Sequence, residues 1–85
     1  MLSSLEALKQ SVALALAGDW HGAHNIAQDY SDPVAHWLHA VLHKIEGDVW
    51  NSKYWYARSA GRHYEDFEHA NDELLAIQRH LTEKD

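Results

Sequence analysis

The feature that most constrains this chain is a spacing of 29 positions at which it approximately repeats itself. Gly18-Asp19-Trp20-His21-Gly22-Ala23 returns in pattern as Gly47-Asp48-Val49-Trp50-Asn51-Ser52. The segment before each Gly-Asp pair keeps one register, with Leu5, Leu8, Val12 and Leu16 mapping onto Val34, Trp37, Val41 and Ile45. Self-similarity of this kind marks helical hairpins stacked side by side, because a lone hairpin cannot bury its own apolar face. Glycine supplies the left-handed residue that closes one helix, and the aspartate after it caps the next.

These signals read as five helices. The first spans about residues 4–17, with Ser3 or Ser4 as N-cap, and Asp19 caps a second that runs to about residue 30. Asp32-Pro33 restarts the chain into a third helix ending at Glu46, since proline suits the first helical position. Asp48 caps a fourth helix to about residue 60, and a fifth covers about residues 64–82. The expected fold is all-α: two stacked antiparallel helical hairpins, about residues 4–31 and 32–61, plus a C-terminal capping helix. Residues 1–85 would then form a single helical-repeat domain, its short connections favouring antiparallel neighbours. Phe67, Ala70, Leu74, Ile77 and Leu81 make an apolar seam on the last helix. That seam is expected to pack on the fourth helix or to serve as a dimerisation face.

The Gly-Asp corners are followed by small residues at Ala23 and Ser52, and the second by Tyr54-Trp55-Tyr56-Ala57-Arg58-Ser59-Ala60. Over roughly residues 5–61 this resembles tetratricopeptide-type repeats, whose B helix carries a small residue where paired helices cross. The resemblance implies stacked helix pairs. The period is shorter than the usual value of about 34, serine replaces alanine at Ser52, and two units are too few for an extended groove, so a peptide clamp is not implied. Trp20-His21-x-Ala23-His24 with His39-Ala40-x-x-His43 and Glu46-Gly47-Asp48 is also similar to small bacterial proteins without an assigned activity, a likeness that implies no chemistry.

Several function classes are disfavoured at once. The chain has no cysteine, hence no disulfide, thiolate ligand or thiol nucleophile, which suits a cytoplasmic setting. A formal charge of −6 argues against binding a phosphate backbone. Protonating the eight histidines would turn that charge positive, so its sign is sensitive to mild acid. No stretch approaches a membrane span. Ala13-Leu14-Ala15 mimics a leader cleavage site, but Glu6 and the short apolar run over residues 12–17 argue against a secretory signal.

The third helix carries the sharpest chemical lead. At about 100° per residue, Val34, Trp37, Leu38, Val41, Leu42 and Ile45 gather on one side, with His36, His39 and His43 nearly opposite and Glu46 adjoining. His39 and His43 stand at i and i+4, a workable chelate for zinc, nickel or copper to which Glu46 can add an oxygen. A third nitrogen would come from His21 or His24 on the second helix, and His24, His39 and His43 form the candidate metal set. The plainer expectation is that these rings are solvated on the polar face.

Among the aromatics, Trp37 and Trp20 are expected in the core. One of Trp55 and Tyr56 stays exposed as a binding surface unless the fourth helix is sandwiched. Asp48 reads as a cap, while Asn51 bonds a backbone group or a side chain of the neighbouring helix, or else orients a histidine. There is neither His-Glu-x-x-His nor Glu-x-x-His. Catalysis by His39 or His43 with Glu46 ranks third, since two hairpins and a cap barely enclose a cavity. The expected function is a small interaction or ligand-binding module that meets a protein partner or a second copy through His21, His24, His36, His39, His43, Asn51 and Trp55. A divalent metal-binding protein is the alternative, and no other cofactor is implied.

Overall fold

In the computed structural model, which describes residues 3–84, the chain is all-α. Its helices are α1 (Ser4–Leu16), α2 (Trp20–Ala27), α3 (Pro33–Glu46), α4 (Val49–Tyr56) and α5 (Ala70–Glu83), with a 3₁₀ turn at Tyr64–Asp66 before α5. α1 pairs with α2 and α3 with α4 as two hairpins, and α5 packs on α1 and α3. No helix of the described residues is long and apolar enough to cross a membrane.

The two Gly-Asp corners are the same structure. Gly18 and Gly47 take φ of 88° and 86°, left-handed values that a side chain would strain. The next amides reach back alike, Asp19 N–H to Leu14 O at 2.9 Å and Asp48 N–H to His43 O at 3.0 Å. Each aspartate then accepts from the backbone N–H three residues on, Gly22 or Asn51, which holds the first turn of α2 or α4.

Within each hairpin the helices approach through buried small residues bridged by one hydroxyl. Ser11 Oγ donates to Ala23 O at 2.7 Å in the first, and Ser52 Oγ donates to Ala40 O at 2.7 Å in the second. All four residues are fully buried.

α3 is the central rod, touched by each of the other four helices. Its apolar stripe, with Trp37, Leu38, Val41 and Leu42, meets Leu8 and Val12 of α1 and Leu74, Ile77 and Leu81 of α5 in the core. Ile45 ends outside that core and is exposed.

Several expectations are corrected. α2 stops at Ala27 and α4 at Tyr56, short of residues 30 and 60. Beyond α4 the Ser59 hydroxyl donates to Tyr56 O, and Ala60 and Gly61 turn to positive φ, which closes the helix early. α5 starts at Ala70 rather than near residue 64, because the Asp66 carboxylate accepts from His63 N–H and folds that stretch into a 3₁₀ turn. Phe67 is extended, so the seam on α5 is shorter than expected.

That seam lies on α1 and α3 rather than α4, and its buried residues are spent inside the molecule rather than offered as a dimer face. Glu73 explains the direction. Its fully buried carboxylate accepts from Lys44 Nζ at 2.7 Å, Trp37 Nε1 at 2.8 Å and Tyr56 Oη at 2.6 Å. Lys44 Nζ also donates to Tyr64 O and Phe67 O, pinning the connection that delivers α5. A buried carboxylate is tolerated when its oxygens are paired like this. Burial and the adjoining Glu73 carboxylate push the Tyr56 hydroxyl far above the usual tyrosine range, so it stays a donor.

Candidate metal centre

Where the two hairpins meet, three imidazoles converge. His24 comes from α2, and His39 and His43 come from successive turns of α3. One ring nitrogen from each lies within 4.8 Å of the others. His24 Nε2 and His39 Nε2 are 3.1 Å apart. His39 and His43 stack with centroids 4.8 Å apart, as their i, i+4 spacing allows.

The rings are backed by aromatics and a carboxylate. Trp20 stacks on His24 at 4.8 Å and is itself held by its Nε1–H, which donates to Leu42 O at 2.6 Å. Trp55 of α4 stacks on His39 at 4.1 Å. Glu46 meets His43 Nδ1 at 2.5 Å. When Nδ1 carries the proton for that bond, Nε2 keeps its lone pair, the tautomer a metal requires.

The expectation of a solvated histidine face is overturned for two of the three. His39 is 6% and His43 8% exposed, because α2 and α4 pack on the side of α3 away from the core stripe. Burial, aided by the neighbouring His24, His43 and His36, pushes His39 down to about 4. Burial also lowers His24, with His43 and His21 acting the same way and Glu46 opposing. Both rings are therefore neutral near pH 7. Their short nitrogen–nitrogen contact is then a bond from one Nε2–H to the other Nε2 lone pair, which demands opposite tautomers.

The arrangement suits a metal ion. Bonds of about 2.0–2.1 Å at tetrahedral angles put nitrogen ligands roughly 3.3–3.4 Å apart. His24 and His39 already stand near that spacing, and a His43 ring nitrogen lies within 4.8 Å of both. Neutral imidazoles need no proton stripped from a cationic ring before they ligate.

The other residues singled out from sequence lie around the triad rather than in it. His21 is exposed, its ring edge-on to Trp20 at 5.4 Å. His36 Nδ1 lies 3.2 Å from Arg58 O, and its ring tilts against Trp55. Asn51 orients no histidine: its amide Nδ2 donates to Asp48 Oδ2 at 2.9 Å and completes the cap. Trp37 is core as expected, while Trp20 is only partly buried and belongs to the centre. The i, i+4 spacing of Trp20 and His24 is the sequence signal for that role. Tyr56 is buried, Trp55 partly so, and Trp50 is 74% exposed.

Comparison of the chain with protein-family models, with curated proteins and with solved structures finds no match.

Proposed function

We propose that this protein is a small helical ligand-binding module whose ligand is a divalent transition-metal ion held by His24, His39 and His43. The observation that carries this reading is the convergence of three ring nitrogens within 4.8 Å, two of them on buried rings. Two further features support it. Burial keeps His39 and His24 neutral. A carboxylate behind His43 and indoles behind the other two rings hold all three in place.

An all-imidazole donor set favours zinc, copper or nickel over magnesium or calcium, which prefer oxygen. The absence of cysteine fits a reducing compartment, and we take the cytoplasm as the setting.

Calorimetric titration of tag-free protein with zinc, copper and nickel tests the reading. One ion per chain is expected, lost in His39→Ala and His43→Ala and retained in His21→Ala and His36→Ala. No measurable binding of any of the three ions overturns it.

A second reading, contact with a protein partner or a second copy, is favoured by one observation. Trp50 is 74% exposed beside the exposed Val49 and Tyr54 on α4. Light scattering and pull-down with Trp50→Ser test it, and unchanged behaviour in both removes it.

A further inference from the structure

Three imidazoles leave a four-coordinate ion one donor short. Among the described residues Glu46 and Asp48 come within 4.8 Å of His43 as a separate group, but no fourth histidine or carboxylate joins all three of His24, His39 and His43 at that spacing. The nearest alternatives are committed elsewhere: Glu46 to His43 Nδ1, His36 to Arg58 O, and Asp48 to the backbone and side chain of Asn51. Building on the metal reading above, we infer that the bound ion keeps one coordination position open to solvent and takes a small anionic donor into it.

Charge selects an anion. Imidazole ligands bring no negative charge and cancel none of the ion's two positive charges, and the carboxylate beside the group, Glu46, is engaged by His43 Nδ1. An entering anion therefore gains attraction that a neutral donor of the same size does not.

Exposure selects the side. His39 and His43 are almost closed off, whereas His24 is only half-buried, so the approach lies at the His24 edge of the group. The indoles stacked on His24 and His39 flank two of the three rings, which favours a small donor. Donors of a few atoms, such as azide, thiocyanate or a short carboxylate, fit this description. Three protein ligands with one position left over is also the arrangement that permits ligand exchange, in contrast to closed four-ligand structural sites.

Cobalt(II) provides the readout, because its visible d–d bands report coordination number and donor type. Tag-free protein is loaded with one equivalent of cobalt and titrated with sodium azide. The expected result is a saturable band shift at one azide per cobalt, reversed by competing acetate. Cobalt bands that depend on His24, His39 and His43 but do not respond to azide overturn the inference and leave the metal site standing. A response that appears only in Glu46→Gln or His21→Ala also overturns it, by showing that the fourth position is filled by that side chain. Failure of cobalt to bind at all removes the metal site and this inference together.

Discussion

Ser11 and Ser52 stand on opposite helices of their hairpins yet close them with the same bond, each hydroxyl lying 2.7 Å from a carbonyl on the facing helix. Shifted by 29 positions, Ser11 falls on Ala40 and Ala23 on Ser52, so one hairpin is the other with its serine and alanine exchanged. The close crossing needs two small residues and one hydroxyl, and either helix can supply the hydroxyl.

Moving the hydroxyl across the second hairpin should therefore be tolerated. Ser52→Ala alone is expected to cost about 1 kcal/mol, the usual net value of one hydrogen bond. Adding Ala40→Ser reproduces the first hairpin's arrangement and should restore most of that loss. Ser52→Val, which crowds the crossing, should cost about 1–3 kcal/mol. Urea unfolding of the three variants measures this. A double variant no more stable than Ser52→Ala would show that the two crossings are not interchangeable.

Glu73 is a position where substitution should cost much stability, because its buried carboxylate serves three donors. Glu73→Ala leaves the Lys44 ammonium, the Trp37 indole N–H and the Tyr56 hydroxyl without their shared acceptor. Breaking a buried ion pair from one side costs about 3–5 kcal/mol, a large share of the roughly 5–15 kcal/mol available to a small domain. Tyr56→Phe removes only one of the three donors and should cost about 1 kcal/mol. Thermal and urea melts rank the pair, and equal losses would remove Glu73 from its central role.

Acid should destabilise the apoprotein through His39 and His24. Both are held below the value of about 6.5 that imidazole has in an unfolded chain, with His39 at about 4. Between those values the unfolded chain binds protons that the folded one refuses. The associated stability is fully present above about 6.5 and is lost as the pH falls toward about 4. Melting temperatures at pH 7 and pH 5 should differ more in the wild type than in His39→Gln, whose side chain does not titrate. An identical pH dependence in the variant would show that His39 does not carry the effect.

Much of this architecture was legible because corners are local. Gly18-Asp19 and Gly47-Asp48 set their own geometry, and both hairpins follow from them. The i, i+4 pair of His39 and His43 was legible for the same reason. Their burial was not, since periodicity describes one helix at a time and cannot show that α2 and α4 close over the second side of α3. Glu73 was hidden for a related reason: nothing in its local pattern shows that it ties α5 to α3 and α4, because its three donors lie 17 to 36 positions away. The 3₁₀ turn at Tyr64–Asp66 was hidden too, because Phe67 continues the helical spacing of Leu74 and Ile77 while its backbone is extended.

The last prediction concerns Glu46, and the internal symmetry makes it unusually clean. The residues equivalent to His43 and Glu46 at the first corner are Leu14 and Ala17, yet that corner folds with the same angles and the same backbone bonds. The turn therefore needs neither the imidazole nor the carboxylate, and Glu46→Gln or Glu46→Ala should leave helicity and melting temperature nearly unchanged. What the carboxylate does is hold His43 Nδ1 at 2.5 Å and favour the tautomer with a free Nε2 lone pair. Loss of such a partner typically weakens a metal site about 10–100-fold, and Asp48 cannot replace it while it caps α4. Zinc affinity by competition with a chelating dye, alongside circular dichroism of the apoprotein, separates the two effects. Unchanged affinity would mean that Glu46 does not support His43, and a collapsed fold would mean that the two corners are not equivalent after all.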